Sequence, residues 1–401
     1  IFPFKMKGQW MHNVHQRLAT HLSCTSQADI TKEVYRCRPW ELYHSTKRNK
    51  IPGMFPYFVL SSCLLQNGYI SSQTYNGKPI ILYRDSESRT VKAFLNKCRH
   101  RGAQLVDTCL SEKLKSRAIV CPYHAWSYDI RDGKLKRIPG EAEAFSCVKK
   151  EDHGLIPLLC KEVAGGIWVY GDAMKEVEDF SEHKQAHIEI EELLDMSADS
   201  FSMERMVGTK EWEVDANWQI LVETFLESYH VPSLHKNTLN IVTQANNKTV
   251  PMVTEHLDRR DIRMTVPLQN FDATLYEGNA KSFVEQFLSS TTTTYFLFPN
   301  VSITLTKRFA FFMSIAPRYD DVSKSKISAW AITYNDHEQQ MNLCQRDLEG
   351  VVNGVEEDWD CVEKIFQNLS KDQISMYGSY EGNNIKFLND IKNIATYFVN
   401  R

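Results

Sequence analysis

Two short segments, each containing a cysteine and a nearby histidine, limit most strongly which fold this chain can adopt. Cys98 is followed by His100 and Cys121 by His124, so each segment offers one thiolate and one imidazole at the spacing of metal ligands. The surrounding residues alternate as short β-strands do, which places these side chains in loops at strand ends. Two such loops can hold one metal centre between them, and the sequence therefore predicts a fold built around a metal site.

Two thiolates and two imidazoles suit either of two centres. Zinc accepts a tetrahedral set of sulfur and nitrogen ligands, whereas a two-iron two-sulfur cluster takes cysteines on one iron and histidines on the other. Ligand chemistry alone does not choose between them. Zinc fingers usually pair Cys with Cys and His with His, whereas each loop here supplies one of each, and this arrangement favours the binuclear cluster.

A second group of candidate ligands follows in the second half of the chain. Glu227, His230 and His235 have the spacing Glu-x-x-His-x4-His. The pattern of residues 217–230 predicts a helix that places Glu227 and His230 one turn apart on one face. Pro232 disfavours the helical conformation of the residue before it, so we expect a following turn to deliver His235.

Two histidines and one carboxylate on one face of an iron ion leave positions open for oxygen and substrate, as non-haem iron oxygenases require. The carboxylate must come from elsewhere in the chain. The acidic stretch 356–363 offers candidates on a predicted helix. Each acid there, taken alone, is more typical of a solvated helix face.

The residues around the first group resemble the Rieske domain of ring-hydroxylating oxygenases. The resemblance is carried by Cys-Arg-His-Arg-Gly at 98–102 and Cys-Pro-Tyr-His-Ala-Trp-x-Tyr-x4-Gly-x-Leu at 121–135, within about residues 55–170. Ala125 stands where the family usually has Gly, and the segment between the loops is a few residues longer than is typical. The resemblance implies four ligands of a [2Fe–2S] cluster: Cys98, His100, Cys121 and His124.

The second group resembles the mononuclear iron motif of the same family. The resemblance implies that His230 and His235 bind Fe(II), with an Asp from a downstream helix as third ligand. Asp358 is the choice because its Glu-Asp-x4-Glu setting resembles the family's ligand helix, and Asp360 is the alternative. Glu227 occupies the position of the family's bridging acid, usually Asp, between a cluster histidine of one subunit and an iron histidine of its neighbour. Members that act on quaternary ammonium substrates resemble this chain in having Glu there.

The pattern along the chain predicts an α+β protein in three parts. We expect a helical segment over 1–50 that packs on the catalytic domain, and a small all-β Rieske domain over 51–175. A catalytic domain over 176–401 is expected to be helix-grip-like and built on an antiparallel sheet, with neighbouring strands between residues 295 and 334. Asp132-Gly133 predicts a hairpin.

One buried helical face is predicted after residue 335 from six apolar side chains: Leu343, Leu348, Val351, Val355, Val362 and Ile365.

The resemblance implies the oxygenase component of a multicomponent system. Such a protein uses O2 and electrons from a flavin-containing reductase or ferredoxin to hydroxylate or oxidatively dealkylate a small organic substrate. The chain shows no nucleotide-binding glycine fingerprint, flavin site or plant-type ferredoxin cysteine run, so the electrons are expected from a separate protein. The family also implies a homotrimer.

Three other functions remain open at this point. The chain could be a dihydroxylating ring dioxygenase, a Rieske electron carrier without oxygenase activity, or a zinc-stabilised binding protein. An electron carrier needs no Glu-x-x-His-x4-His group, and that second group therefore favours an oxygenase.

The composition limits which partners the chain can be expected to bind and in which cellular compartment we expect it. A net charge of -3 gives no overall electrostatic case for binding nucleic acid, and no apolar run of about 18 residues predicts a membrane span. Ten cysteines in 401 residues do not make a disulfide scaffold and are typical of free thiols in a reducing compartment. The first residues also lack the apolar run of a secretory signal, and we expect a cytoplasmic protein.

Overall fold

The computed structural model describes the chain over the following residues: 9–23, 35–37, 57–61, 64–75, 78–107, 112–163, 165–172, 184–194, 205–239, 252–257, 260–271, 280–318, 321–334, 338–371, 375–377 and 379–399. Contacts divide the chain into two compact units. The small unit comprises Ile51–Phe180 and Ser197–Met203, and the large unit comprises Ile1–Lys50, Ser181–Met196 and Glu204–Arg401. The predicted boundaries near residues 50 and 175 lie outside the described residues.

The strands within these ranges are β1 (Tyr35–Cys37), β2 (Tyr57–Ser61), β3 (Tyr69–Tyr75), β4 (Lys78–Arg84), β5 (Val91–Leu95), β6 (Glu112–Lys113), β7 (Ala118–Val120), β8 (Ser127–Asp129), β9 (Leu135–Arg137), β10 (Pro157–Val163), β11 (Gly166–Asp172), β12 (Met206–Val214), β13 (Val253–Leu257), β14 (Asp261–Pro267), β15 (Thr291–Leu297), β16 (Val301–Leu305), β17 (Phe309–Pro317), β18 (Ser325–Thr333) and β19 (Ser375–Tyr377). The α-helices are α1 (Gln9–Ser23), α2 (Glu141–Ala144), α3 (Lys184–Leu194), α4 (Trp218–Glu223), α5 (Val231–Leu234), α6 (Ala280–Ser290), α7 (Glu338–Gln367) and α8 (Gly382–Val399). Two 3-10 segments span Lys150–His153 and Ser379–Glu381. Among the described helices, none is long and apolar enough to cross a membrane.

The described residues of the small unit form two antiparallel sheets. A seven-stranded sheet has the order β2-β11-β10-β5-β4-β3-β6, and a three-stranded sheet has the order β7-β8-β9. Apolar side chains of β4 and β5, such as Ile81 and Phe94, form one core with Tyr128 of β8. Cys98 and Cys121 belong to the same core, so the predicted ligand loops are anchored in the core of the small unit.

The hairpin predicted at Asp132-Gly133 joins β8 to β9. Asp129 and Lys134 close its loop, because the N–H of Asp129 donates to the carbonyl of Lys134 at 2.9 Å. Gly133 has φ of +73°, and a Cβ there would lie 2.7 Å from Cε1 of Phe94. Only glycine meets both the backbone and the space requirement at this position.

The large unit centres on a second seven-stranded antiparallel sheet. Its order is β12-β18-β17-β16-β15-β14-β13, so the strands predicted between residues 295 and 334 are neighbours, as expected. The expected α+β class with antiparallel sheets is thereby confirmed. Helix α7 packs on β12 and β18, and α1 packs against α6, β13 and β14. Strand β1 pairs with β19 in a separate two-stranded ribbon.

Helix α7 buries a different stripe from the predicted one. Val355 and Val362 are buried as expected, but Leu343 and Ile365 are 43% and 46% exposed. Cys344 and Phe366, the next residue in each case, are buried instead. Consecutive helical residues differ by about 100° around the axis, so a position one residue away from the stripe faces solvent. The prediction for Leu343 and Ile365 was wrong for this reason.

Candidate metal centres

The first cysteine–histidine loop of the small unit closes on itself through its backbone. The N–H of Cys98 donates to the carbonyl of Ala103 at 2.8 Å, and the N–H of Gly102 donates to the carbonyl of Cys98 at 3.0 Å. Gly102 has φ of +81°, the left-handed conformation that this closure requires. The loop therefore presents the Cys98 and His100 side chains from a fixed turn.

The second loop repeats this turn with a different residue at the critical position. The N–H of Cys121 donates to the carbonyl of Trp126 at 2.8 Å, and the N–H of Ala125 donates to the carbonyl of Cys121 at 3.0 Å. Ala125 has φ of +55°, so an alanine stands where the matching turn has Gly102. The departure from the family pattern thus falls on a strained backbone position rather than on a ligand.

The two loops bring like ligands together. Cys98 and Cys121 are each 3% exposed and interact with each other in the core. The half-buried rings of His100 and His124 have centroids 4.7 Å apart. Nδ1 of His124 is buried and has no hydrogen-bond partner. Paired thiols beside paired imidazoles, with a ring nitrogen left unpaired, fit a cluster with cysteines on one iron and histidines on the other.

Neighbouring side chains hold these four residues. The Tyr128 hydroxyl lies 3.2 Å from Sγ of Cys98 and accepts the N–H of Arg99 at 3.0 Å. Trp126 stacks on His100 with centroids 4.8 Å apart. Burial lowers the pKa of His100, and the nearby His124 adds to this effect, so the imidazole is held in the neutral form that binds metal.

The second centre lies in the large unit, where the structure brings His230, His235 and Asp358 together. Nε2 of His235 lies 3.1 Å from Oδ1 of Asp358, and Nε2 of His230 lies 3.5 Å from the same oxygen. Their potential ligand atoms all lie within 4.8 Å of one another. Asp358 is buried, whereas the alternative, Asp360, faces solvent.

The polar atoms of this site suit a bound cation. Nε2 of His235 and Oδ1 of Asp358 are buried without hydrogen-bond partners. Two donor atoms bound at right angles to one ion, each at about 2.1 Å, are about 3 Å apart, which is close to their separation here. Burial alone would lower the pKa of His230, but the Glu227 carboxylate raises it above the ordinary value. The residues present therefore fit a mononuclear Fe(II) site with two imidazoles and one carboxylate.

Each histidine has its own carboxylate on the far ring nitrogen. Nδ1 of His230 lies 2.5 Å from Oε1 of Glu227, and Nδ1 of His235 lies 2.7 Å from Oε2 of Glu357. Burial acts to raise the pKa of Glu357, but hydrogen bonds from His235 and Thr238 outweigh it and lower the pKa. Sequence reasoning used Glu357 only as the acid beside Asp358 in the Glu-Asp-x4-Glu pattern, gave it no role, and did not mention Thr238. The position of Glu357 beside Asp358 was the available signal, but its partner His235 is 122 residues away in the sequence, so no local pattern links the two.

The predicted continuous helix over 217–230 was wrong. Helix α4 ends at Glu223, and the chain then turns before α5 begins at Val231 with Pro232 in its first turn. The break is stabilised because Asn383 donates to the carbonyl of Leu226 at 2.7 Å.

The Glu227 carboxylate shapes the turn that follows this break. It accepts the backbone N–H groups of Tyr229 and His230. Glu227 and His230 therefore meet through a turn and not along a helical face. Pro232 starts the next helix instead of ending the previous one, because proline is well tolerated in a first turn.

Two family models match this chain. The Rieske [2Fe-2S] domain matches residues 55–151, and the ring hydroxylating alpha subunit (catalytic domain) matches residues 190–391, about half of the chain. These matches confirm the resemblance inferred from the two motifs.

Curated relatives include oxygenases with different named substrates. The benzene 1,2-dioxygenase subunit alpha of Pseudomonas putida is 29% identical over 160 residues, which cover 39% of this chain and 34% of that protein. The glycine betaine monooxygenase oxygenase subunit of Pseudomonas aeruginosa is 30% identical over 178 residues, covering 44% and 38%. The chain thus matches only about a third of the length of these relatives.

Solved structures share the fold over nearly the whole chain. The quaternary ammonium Rieske monooxygenase CntA, in complex with an inhibitor, has a TM-score of 0.70 at 18% identity, covering 91% of this chain and 96% of that one. Naphthalene 1,2-dioxygenase from Rhodococcus sp., bound to indole, has a TM-score of 0.68 at 16% identity, covering 96% and 98%. At these identities the likeness establishes the fold.

Proposed function

This chain belongs to the ring-hydroxylating alpha subunit family, and from that membership we propose that it is the oxygenase component of a multicomponent Rieske oxygenase. The proposed reaction uses O2 and two electrons to hydroxylate or oxidatively dealkylate a small organic substrate. The observation that carries the proposal is the convergence of His230, His235 and Asp358 with unpaired buried ligand atoms. An electron carrier needs no such site.

The proposed reaction requires two metal groups with different tasks. A bound [2Fe–2S] cluster supplies electrons one at a time, and a bound Fe(II) supplies the O2 chemistry. Cys98, His100, Cys121 and His124 would hold the cluster, and His230, His235 and Asp358 would hold the iron. The protein's own part is to orient these ligands and to limit access of water. His235 has no exposed side-chain area and Asp358 has 5%, whereas His230 retains 23%.

Glu227 is proposed to connect the two centres across neighbouring subunits of a homotrimer. Its side chain is 10% exposed and contacts His230 directly. Each carboxylate oxygen has two lone pairs, so an oxygen that already accepts one hydrogen bond can accept another from an incoming imidazole. The same carboxylate keeps the proton on Nδ1 of His230, which leaves Nε2 for the metal.

The electron donor is proposed to be a separate flavin-containing reductase or ferredoxin, and the location is proposed to be cytoplasmic. The six cysteines whose side chains the structure describes are free thiols, in keeping with a reducing compartment.

Replacing Glu227 with Gln tests the bridging role. The amide oxygen can still accept the His230 Nδ1–H, so both metals are expected to stay bound. Loss of the charge and of one acceptor is expected to slow electron transfer between the centres by at least tenfold, or about 1.4 kcal/mol in the barrier. Single-turnover reoxidation of the reduced cluster by O2, with product counted per electron, measures this effect.

The exposed Asp360 provides the matched control, since Asp360→Asn changes a nearby acid with the same charge loss. That variant is expected to behave as wild type. Normal reoxidation and normal product yield per electron in Glu227→Gln would reject the bridging role.

A further inference from the structure

The iron-site histidine that is most deeply buried is held by an acid that lies outside the Glu-x-x-His-x4-His group. We infer that Glu357 is a positioning residue for His235, an inference that rests on the proposed mononuclear iron site. Oε2 of Glu357 lies 2.7 Å from Nδ1 of His235 and accepts the Thr238 hydroxyl at 2.7 Å. His235 itself is fully buried.

The contact fixes which ring nitrogen carries the proton. A neutral imidazole has one N–H, and a carboxylate facing Nδ1 keeps the proton there. Nε2 of His235 is then a lone-pair donor, and it faces Oδ1 of Asp358 at 3.1 Å. Two acceptors at that distance repel each other unless a cation lies between them. Glu357 thus orients the His235 ring and leaves Nε2 as the nitrogen that can bind a metal ion.

Thr238 stabilises the contact between Glu357 and His235 through its backbone and its side chain. Its N–H donates to the carbonyl of His235 at 3.2 Å, so residues 235–238 form a closed turn. Its hydroxyl donates to the carboxylate oxygen that also receives the imidazole. One oxygen of Glu357 therefore fixes both the ring of His235 and the turn that follows it.

Glu357 differs from Glu227 in what it connects. Glu227 is three residues from His230 and acts within one turn, whereas Glu357 reaches His235 across 122 residues. Glu357 also precedes Asp358 on α7, so one helical turn supplies both a ligand and the holder of another ligand. Assembly of the iron site from two distant segments therefore depends on Glu357 more than on Glu227.

Ferrous ion binding by variants of the full chain tests this role. Protein that is depleted of mononuclear iron but retains its cluster is titrated with Fe²⁺ without oxygen. Bound ion is counted by the electron paramagnetic resonance signal of its nitric oxide adduct, which is separate from the cluster signal. The variants are Glu357→Ala, Glu357→Gln and Thr238→Val, with the exposed Asp360→Ala as control.

The inference predicts a graded result. Glu357→Ala is expected to raise the Kd for Fe²⁺ by about 10–100-fold and to change the symmetry of the nitric oxide signal. Glu357→Gln keeps an oxygen that can accept both hydrogen bonds and is expected to recover most of the affinity. Thr238→Val is expected to fall between them, and Asp360→Ala to match wild type. The cluster signal reports folding of the small unit, and far-ultraviolet circular dichroism with thermal unfolding reports folding of the large unit in each variant.

Three results would overturn the inference. Wild-type affinity in a folded Glu357→Ala variant would remove the role altogether. Equal weakening in Glu357→Ala and Glu357→Gln would assign the effect to charge and not to positioning. A wild-type chain that retains its cluster but binds no Fe²⁺ would overturn the proposed function itself, and the inference with it.

Discussion

Ala125 holds a backbone conformation that glycine adopts more easily, and the matching turn shows the alternative. Gly102 occupies the equivalent place with φ of +81°, against +55° for Ala125. The left-handed conformation costs an alanine about 1–2 kcal/mol, part of which is offset by the greater freedom that glycine has in the unfolded chain. The second ligand loop is therefore the more strained of the two.

Exchange of these two residues tests the strain directly. Ala125→Gly is expected to stabilise the folded protein by about 0.5–1 kcal/mol, and Gly102→Ala to destabilise it by about 1–2 kcal/mol. Thermal unfolding followed by loss of the cluster colour measures both. A Cβ at Gly102 would lie 3.0 Å from Cε of Lys97, whose flexible side chain can move aside. The loss of stability in Gly102→Ala therefore measures the cost of the backbone conformation. A lower melting temperature for Ala125→Gly would contradict the interpretation.

At the same scale, the sequence allowed seven metal ligands to be proposed and also Glu227, which contacts His230, but not Glu357, which contacts His235. Cys98 and His230 could be found because ligand spacing is local and survives in the sequence. Glu357 could not, because its contact with His235 depends on how α7 approaches a distant turn. The choice of Asp358 over Asp360 likewise gained its physical support from burial, which depends on the packing of α7.

Among the elements, the short helix α4 bears most directly on the iron site. Asn217 begins it, and its side-chain oxygen accepts the N–H of Gln219 at 2.9 Å. The amide also donates to the carbonyl of Val322 at 3.1 Å, so one buried side chain caps the helix and ties it to the chain before β18. The residues that carry Glu227 and His230 follow directly after α4.

Loss of this cap is expected to be costly. Asn217→Ala should lower the free energy of unfolding by about 1–2 kcal/mol, because it removes an N-cap and leaves the partly buried carbonyl of Val322 without this donor. Asn270 is exposed and donates to the carbonyl of Ser289, so Asn270→Ala is a matched control expected to cost less than about 0.5 kcal/mol. Denaturant unfolding measures both, and equal costs would argue against a special role for the cap.

The same helix shows where prediction of elements fails. Alternation over residues 295–334 predicted neighbouring strands because side chains in a sheet follow a period of two, a strong local signal. The apolar pattern of 217–230 continued past Glu223 although the helix did not. The turn there is stabilised by Asn383, which lies in α8, and by the carboxylate of Glu227. Tertiary contacts of this kind do not produce a periodic pattern in the sequence, so periodicity cannot predict them.

At the scale of the whole molecule, the two proposed metal centres are built in different units. The cluster ligands lie in the small unit, and His230, His235 and Asp358 lie in the large unit. Each centre draws its ligands and their supporting contacts from its own unit. Removing one metal is therefore expected to leave the other bound.

Metal analysis combined with electron paramagnetic resonance of the reduced protein tests the central claim most directly. The account predicts about three irons per chain and a Rieske signal in wild type, from two cluster irons and one mononuclear iron. His230→Ala is expected to keep the signal and about two irons per chain. Stoichiometric zinc without iron, or loss of the Rieske signal together with the mononuclear iron in His230→Ala, would contradict it.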